Sequence, residues 1–235
     1  MINYFDDGKD NMYPFSLSRE SVDMFYGTMT NRMRVAGFCM TKDHNPETMD
    51  VEINGAFRGF AALEKIFALQ QSQALYDVSG RMVASFGEEK ERVDTEESLL
   101  FEYAFQMMMD NGTFIKEDAA FLGFEENKVT DLGAARIEEH VHFDTSDGPV
   151  IIDKGAVINA FSRIEGPAYI GRDVQILSAK VRENCSFFDK VRIGGEVEDS
   201  IFYPFSNKCH EGFVGHSIFG SFVNLGALTT TSDLK

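Results

Sequence analysis

Isoleucine recurs at every sixth position through part of the chain. A six-residue period matches neither the 3.6-residue turn of an α-helix nor the two-residue alternation of an ordinary strand. It is typical of a hexapeptide β-helix, in which each coil has three short faces and each face turns an aliphatic side chain inward. The sequence therefore predicts a β-helix of hexapeptide repeats, on the residues Ile152, Ile158, Ile164, Ile170 and Ile176.

The hydrophobic pattern weakens further along the chain. The period returns at Ile193, in "IGGEVE", and is then interrupted by "FYPFSNKCHEG" over residues 202–212. Because this stretch is too polar for a stacked core, the pattern predicts a loop that leaves the β-helix at a corner. We place the β-helix at residues 146–235 and an α/β domain at residues 1–145.

The first 145 residues alternate short apolar runs with helical spacing. "INYF" predicts a strand, and "ALYDVSGRMVASF" predicts a strand, a turn and a second strand. "GFAALEKIFALQQ" and "SLLFEYAFQMMMDN" each predict a helix. In "SRESVDMFYGTMTNRM" we expect a further helix capped by Ser18, with Glu20 in its first turn. This mixture of elements indicates an α/β domain.

The charge balance excludes several classes of partner. The 235 residues include 38 acidic and 22 basic ones, which gives a formal net charge of −16. Such a field repels nucleic acid and anionic membranes, and a phosphorylated substrate needs a local basic or N–H-lined pocket. No apolar run is long enough to span a membrane, and the three cysteines are scattered. We therefore expect a soluble, cytoplasmic protein with reduced thiols.

Several residues carry candidate chemistry. His140 and His142 alternate along an expected strand, but no further ligand follows at zinc-binding spacing, so no metal site is predicted. The first half has no glycine-rich phosphate loop after a strand, which argues against nucleotide binding there. His210 lies in an irregular stretch with Asn207 and Lys208. A histidine there can act as a general base, although asparagine and glycine also simply suit tight β-helix corners.

The last 42 residues resemble a known family. "GGEVEDSIFYPFSNKCHEGFVGHSIFGSFVNLGALTTTSDLK" is similar to the hexapeptide-repeat segment of bifunctional N-acetylglucosamine-1-phosphate uridylyltransferase/glucosamine-1-phosphate N-acetyltransferase-like proteins, in a short divergent bacterial branch. The matching motifs are S-N-K-x-H, G-[FY]-x-G-x-S, N-L-G-A-x-T and a final S-[ND]-L-K. "GPAYIGRD" at residues 166–173 resembles a further motif, and "NYFDD" and "INGAFRGFAALEKIFAL" resemble the first domain more loosely.

The resemblance implies a reduced nucleotidyltransferase-like α/β domain followed by a left-handed β-helix, commonly trimeric, that transfers an acetyl group from acetyl-CoA to an amino-sugar phosphate. The general base of the family falls on His210. The substrate-binding residues that it implies are Asn207, Lys208, Phe213, Asn224 and Asp233, with Lys208 on the phosphate. Gly226 and Ala227 fall at the acyl-CoA position.

Three departures from the family keep other functions open. Phe213 cannot donate the hydrogen bond of a tyrosine, and Asp233 is anionic where the family has an amide. The family also has further coils after the S-D-L-K motif, so we expect a β-helix truncated at Lys235. The alternatives are a sugar-1-phosphate nucleotidyltransferase that uses Mg²⁺ with a nucleoside triphosphate in the first domain, and a catalytically degenerate trimeric scaffold that binds a sugar nucleotide.

Overall fold

The computed structural model of the protein describes residues 1–88 and 91–231. The chain divides into two compact units. The first consists of Met1–Met24 and Met29–Gln106, and the second of Phe25–Thr28 together with the chain from Met107 onward. The boundary expected between residues 145 and 146 lies inside the second unit, because β-helix strands precede the isoleucine repeat.

Short strands and helices alternate up to Phe121, and a long series of short strands follows. The first strands are β1 (Ile2–Phe5), β2 (Phe25–Tyr26), β3 (Met29–Thr30), β4 (Val51–Asn54), β5 (Gln73–Tyr76), β6 (Met82–Phe86) and β7 (Glu91–Asp94). The helices are α1 (Asn31–Thr41), α2 (Gly59–Phe67), α3 (Ala104–Met109) and α4 (Asn111–Phe121), with short 3-10 turns at Lys9–Met12, Phe15–Leu17 and Ser21–Asp23. The later strands are β8 (Val129–Asp131), β9 (Arg136–Ile137), β10 (His142–Asp144), β11 (Val150–Ile152), β12 (Val157–Ile158), β13 (Arg163–Glu165), β14 (Ala168–Ile170), β15 (Gln175–Ile176), β16 (Lys180–Val181), β17 (Cys185–Phe187), β18 (Arg192–Ile193), β19 (Glu196–Val197), β20 (Ser200–Phe202), β21 (Asn207–Lys208), β22 (Phe213–Val214) and β23 (Ser217–Phe219).

A mixed five-stranded sheet organises the first unit, in the order β1-β4-β6-β5-β7. β1 runs parallel to β4, β6 runs antiparallel to both β4 and β5, and β7 runs parallel to β5. Val51 and Ile53 of β4 and Leu63 of α2 are fully buried and belong to its core. The strands predicted in "INYF" and "ALYDVSGRMVASF" and the helix predicted in "GFAALEKIFALQQ" are confirmed.

The helix predicted from Ser18 is wrong. Ser21–Asp23 form only a 3-10 turn, and β2 and β3 follow it. Gly27 lies between these two strands at φ +60°, a left-handed conformation that interrupts any helix. The helix α1 begins only after Thr30, whose hydroxyl oxygen accepts a hydrogen bond from the Met33 amide at 3.3 Å. The cap therefore lies twelve residues beyond the predicted one.

Three parallel sheets form most of the second unit. Their strand orders are β10-β13-β16-β19-β22, β23-β20-β17-β14-β11-β8 and β21-β18-β15-β12-β9. Each strand pairs with the strand three places further along the chain, so the sheets are the three faces of a parallel β-helix. A coil of 18 residues separates Ile152 from Ile170, and one of 17 separates Ile170 from Phe187.

The six-spaced isoleucines lie in the core of this β-helix. All five are fully buried in a single cluster of side chains. Ile158, Ile164 and Ile170 lie on β12, β13 and β14, so successive members of the repeat lie on successive faces. Removing one such side chain from water stabilises the fold by roughly 1.5–3 kcal/mol. The β-helix predicted from the period is confirmed.

The loop predicted at "FYPFSNKCHEG" is wrong, because the β-helix continues through it. Phe202 lies opposite Phe187 on β17, and Lys208 lies opposite Ile193 on β18. Only 15 residues separate the members of each pair, since the corners after β18 and β19 are each one residue shorter than those after β15 and β16. The shortened coil breaks the six-residue period without breaking the fold.

Buried polar side chains attach α4 and the segment Phe25–Thr28 to the β-helix inside the second unit. The side-chain oxygen of Asn111 accepts a hydrogen bond from the Gly27 amide at 2.7 Å. Its side-chain nitrogen donates to Asn184 O and to Ser186 Oγ, both at 2.9 Å. Asn111 is fully buried, so this junction is a specific polar contact and not a solvated surface.

Candidate functional site

The turn that carries His210 lies between β21 and β22. His210 is exposed, and among the described residues no side chain hydrogen-bonds to its imidazole. Gly212 closes the turn at φ +128°, and a Cβ at this position would lie 2.3 Å from Thr229 O. Because the next coil passes so close, only glycine fits at this position. The imidazole therefore projects from a tightly held turn.

Lys208 points into the β-helix and is only 1% exposed. Its ammonium donates to Gly194 O at 2.8 Å and to His210 O at 2.9 Å. Burial lowers the pKa of this ammonium, and the charge of Glu211 offsets part of the effect. The family resemblance implies a phosphate contact for Lys208, whereas the structure places its ammonium inside the core, on two main-chain carbonyls.

Asn207 and Asn224 form a side-chain ladder across two coils. The amide nitrogen of Asn207 donates to Asn224 Oδ1 at 2.6 Å, and the two residues form an isolated parallel bridge. Asn224 is exposed, whereas Asn207 is half-buried and its own side-chain oxygen has no hydrogen-bond partner among the described residues. The ladder presents the Asn224 amide on the outside of the sheet that contains Lys208.

The other expected site residues lie near this region or outside the described residues. Phe213 begins β22 directly after the His210 turn and is half-buried. Gly226 and Ala227 are exposed in the turn that follows Asn224. Asp233 lies outside the described residues. The structure thus joins Asn207 to Asn224, and Lys208 to the main chain of His210.

Arg192 is a cation beside this ladder that the sequence pattern did not reveal. Arg192 lies on β18 directly opposite Asn207, and both side chains point outward because Ile193 and Lys208 point inward. Arg192 is exposed, and no described acidic side chain pairs with it. A guanidinium on the outer face is a suitable partner for a phosphate. Nothing in the sequence marked it, because the expected loop hid the register of β21.

The two histidines considered for zinc do not lie on one strand: His140 lies in a corner of the β-helix, and His142 lies on the strand that follows. His140 lies in the left-handed region at φ +64° and stacks on Phe161, with 5.6 Å between the ring centroids. His142 begins β10. Within residues 1–88 and 91–231, no three histidine, cysteine or acidic side chains are grouped so that they could hold a metal ion.

The first unit contains an acidic cleft at the carboxyl end of β1. The cleft has a volume of about 380 Å³ and is lined by Asp6, Asp7, Gly8, Asp10 and Asn11. Burial alone would raise the pKa of Asp7, but hydrogen bonds from Arg81 and Asn54 outweigh that effect, and the pKa is lowered. Among these cleft residues, Asp7 is thus already paired with the Arg81 guanidinium.

A second cavity, of about 540 Å³, lies against β1 and α1. Its lining is largely apolar and includes Ile2, Tyr4 and Val35. Arg32 also reaches it, but hydrogen-bonds to Asp23 at 2.7 Å. Burial raises the pKa of Tyr4 to about 12, so this phenol keeps its proton near neutral pH.

Comparison with known proteins adds no relative: no protein-family model matches the chain, and no curated protein matches it. In the described part of the chain, no helix is both long and apolar enough to cross a membrane. The site must therefore be interpreted from its own geometry.

Proposed function

We propose that the protein is an acyl-CoA-dependent N-acetyltransferase that acts on an amino-sugar phosphate at a left-handed β-helix, with His210 as the general base. The observation that carries this proposal is the exposed imidazole of His210, free of described side-chain partners, on a turn held by the core and by the next coil. An exposed imidazole on a rigid scaffold can act as a general base.

The proposed reaction needs one proton acceptor and one acyl donor. The sugar amine attacks the thioester carbonyl of acetyl-CoA, a C–N bond forms, and His210 takes the amine proton. The C–S bond then breaks, and the protonated imidazole returns the proton to the CoA thiolate. Acetyl-CoA is the co-substrate, and the exposed turn at Gly226 and Ala227 is where we place its acyl end.

We assign the sugar to the outer face of the sheet beside His210. Asn224, which is held by a hydrogen bond from Asn207, supplies an amide group for sugar hydroxyls. Arg192 supplies the positive charge for the phosphate, in the role that the sequence resemblance gave to Lys208. In a protein of net charge −16, such a local cation is necessary because the overall field repels the substrate.

Replacement of His210 tests this function. With acetyl-CoA and glucosamine 1-phosphate, we expect His210→Ala to lower kcat by roughly 10²–10⁴-fold, the usual contribution of a general base. His216→Ala is the matched control, since His216 lies on a different corner with its imidazole 3.7 Å from Asp199. Equal rates for wild type and His210→Ala would remove His210 from the mechanism.

The second candidate function is sugar-1-phosphate nucleotidyl transfer in the first unit. It is favoured by the cleft at the carboxyl end of β1, because ligands of open α/β sheets bind at strand carboxyl ends. The carboxylates suit Mg²⁺ chemically, but the described residues do not group three of them around one point, so we derive no step through a metal. Pyrophosphate release from UTP and a sugar 1-phosphate would support this function.

The non-enzymatic alternative is a scaffold that binds a sugar nucleotide. Calorimetry separates it from the two enzymes. Binding of acetyl-CoA favours the acetyltransferase, whereas binding of a sugar nucleotide without turnover favours the scaffold.

A further inference from the structure

Lys208 is a charged residue in a column of aliphatic side chains. On the same face of the β-helix, the equivalent inward positions of the preceding coils are Ile158, Ile176 and Ile193, all fully buried. An isoleucine would fill this position without desolvating a charge. The lysine is therefore unfavourable for packing alone, because an ammonium loses its hydration when it enters a core.

The two partners of the ammonium belong to two different coils. Gly194 O lies at the corner after β18, and His210 O lies in the turn after β21, one coil further along. The ammonium thus ties the His210 turn to the corner below it. Because both acceptors are main-chain carbonyls, these hydrogen bonds fix backbone position.

The corner after β18, formed by Gly194 and Gly195, leaves space for this contact. A Cβ on Gly195 would lie 2.9 Å from Lys208 Nζ, and a Cβ on Gly194 would lie 2.3 Å from Cys209 O. Both distances are too short for any side chain. Two consecutive glycines therefore leave room for the ammonium and for the backbone just before His210.

We propose that Lys208 is a positioning residue, whose buried ammonium holds the carbonyl of His210 and thereby sets the direction of the imidazole. The kinetic consequence rests on the proposed function of His210, whereas the structural link does not. Lys208 acts from inside the β-helix and does not touch the substrate. Its role therefore differs from the phosphate contact expected from the sequence.

Kinetics separate these two roles. We expect Lys208→Met, which keeps a long unbranched side chain but removes its charge and donors, to lower kcat about tenfold or more, since small displacements of a catalytic group are costly. KM for the sugar phosphate should change less than about twofold, because the phosphate is not bound by Lys208. A raised KM with unchanged kcat would overturn the proposal in favour of phosphate binding.

Ile193→Met is the matched control, because Ile193 occupies the inward position directly opposite Lys208. It disturbs the same column of the core without touching the ammonium. We expect its kcat to stay close to that of wild type. An equal loss in both variants would reduce Lys208 to an ordinary packing residue.

NMR spectroscopy tests the link independently of activity. In the wild-type protein labelled with ¹⁵N-lysine, we expect an ammonium resonance of Lys208 with slow solvent exchange, which requires burial and hydrogen bonding. Lys208→Met should shift the backbone amide signals of residues 209–212, and Ile193→Met should not. Absence of the slow ammonium signal, or unchanged amide signals in Lys208→Met, would refute the link.

The two proposals fail in distinguishable ways. If His210→Ala leaves acetyl transfer unchanged, the proposed function is wrong, and the NMR results still decide whether Lys208 holds the turn. The ammonium measurement uses the wild-type chain, so it remains decisive even if Lys208→Met does not fold.

Discussion

Arg192 and Lys208 show how strand alternation distributes two cations in an acidic protein. Each cation is next to a residue that points the other way. Arg192 points outward and its neighbour Ile193 points into the core, whereas Lys208 points into the core and its neighbour Asn207 points outward. The exposed guanidinium is thus available to an anion, and the buried ammonium is committed to backbone carbonyls. We therefore assign the positive charge of Arg192 to ligand binding and that of Lys208 to holding the backbone in place.

Replacing Arg192 should weaken substrate binding specifically. For Arg192→Gln we expect KM for the amino-sugar phosphate to rise about tenfold or more, because a charge-assisted hydrogen bond is lost, while kcat changes little. Steady-state kinetics measure both. Arg136→Gln removes the same charge from the outer face of the same sheet, several coils away, and should leave KM unchanged. Equal effects in the two variants would indicate only long-range electrostatics.

The lowered pKa of Lys208 makes stability depend on pH. In the unfolded chain a lysine titrates near 10.5, and in the folded protein Lys208 loses its proton at lower pH. Between these two values the unfolded state binds more protons, so this group's contribution to the free energy of unfolding rises with pH. Below the folded pKa the cost of burying the charge is fully present.

Comparison with Lys208→Met isolates this contribution. We expect urea unfolding of both proteins from about pH 7 to about pH 10 to show that the free energy of unfolding of the wild type, minus that of the variant, increases as the pH rises. Tyr4, whose pKa burial raises to about 12, affects both proteins equally and cancels in the difference. A difference that stays constant with pH would mean that Lys208 titrates normally.

At the scale of elements, the coils depend on close main-chain approaches at their corners. The corner at Gly212 is one of the tight corners around His210, with Thr229 O of the next coil 2.3 Å from any added Cβ. The turn at Gly226 is open by comparison, since the nearest atom would be 3.9 Å away. These two glycines therefore differ in what they contribute to the fold.

Alanine substitutions should reveal that difference. Gly212→Ala should lower the free energy of unfolding by about 1–3 kcal/mol, because it combines a left-handed backbone with a steric clash. Gly226→Ala should be close to neutral. Chemical denaturation followed by circular dichroism measures both. Similar stabilities for the two variants would show that the coil at Thr229 moves aside without cost.

The sequence was sufficient for the regular coils and insufficient for the shortened one. The six-residue spacing from Ile152 to Ile176 predicts the β-helix because each face needs one aliphatic side chain per coil. At Lys208 two corners have each lost a residue and the inward position is charged, so spacing and hydrophobicity fail together. The sequence identified His210 as a candidate. It could not place Arg192 beside Asn207, because that requires the pairing register of β18 and β21.

The same distinction holds in the first half of the chain. Short strands and α2 follow from local apolar patterns, but the start of α1 does not. Val22 and Met29 are spaced as on one face of a helix, but Val22 lies in a 3-10 turn and Met29 lies in β3. The left-handed conformation of Gly27, which separates these elements, is set by packing and leaves no periodic trace in the sequence.

At the scale of the whole molecule, the charge of −16 and the exposed aromatic residues have opposite effects on association. Phe205 and Phe222 stack in parallel at one corner of the β-helix, 4.9 Å apart, and are 47% and 76% exposed. Such a patch favours contact with another protein surface. The net negative charge opposes contact between copies, most strongly at low salt.

The resemblance of the repeat segment to a commonly trimeric family gives a prediction for assembly, and the charge gives its salt dependence. We expect a trimer, with three times the 26.4 kDa mass of the chain, that becomes more stable as salt screens the repulsion. Light scattering coupled to size-exclusion chromatography, at low and at physiological ionic strength, measures the mass directly. Phe222→Ser should favour the monomer if this aromatic corner contributes to the interface. A monomer at all salt concentrations would contradict the prediction.

The repetition of coils also has a mechanical consequence. Each coil contacts mainly the coils before and after it, so a β-helix pulled from its end can lose one coil at a time. A typical coil of 17 residues, as between Ile170 and Phe187, would release roughly 55–60 Å of extended chain. Under force the protein should lengthen in nearly equal steps, and the 15-residue coil that ends at Lys208 should give a shorter one.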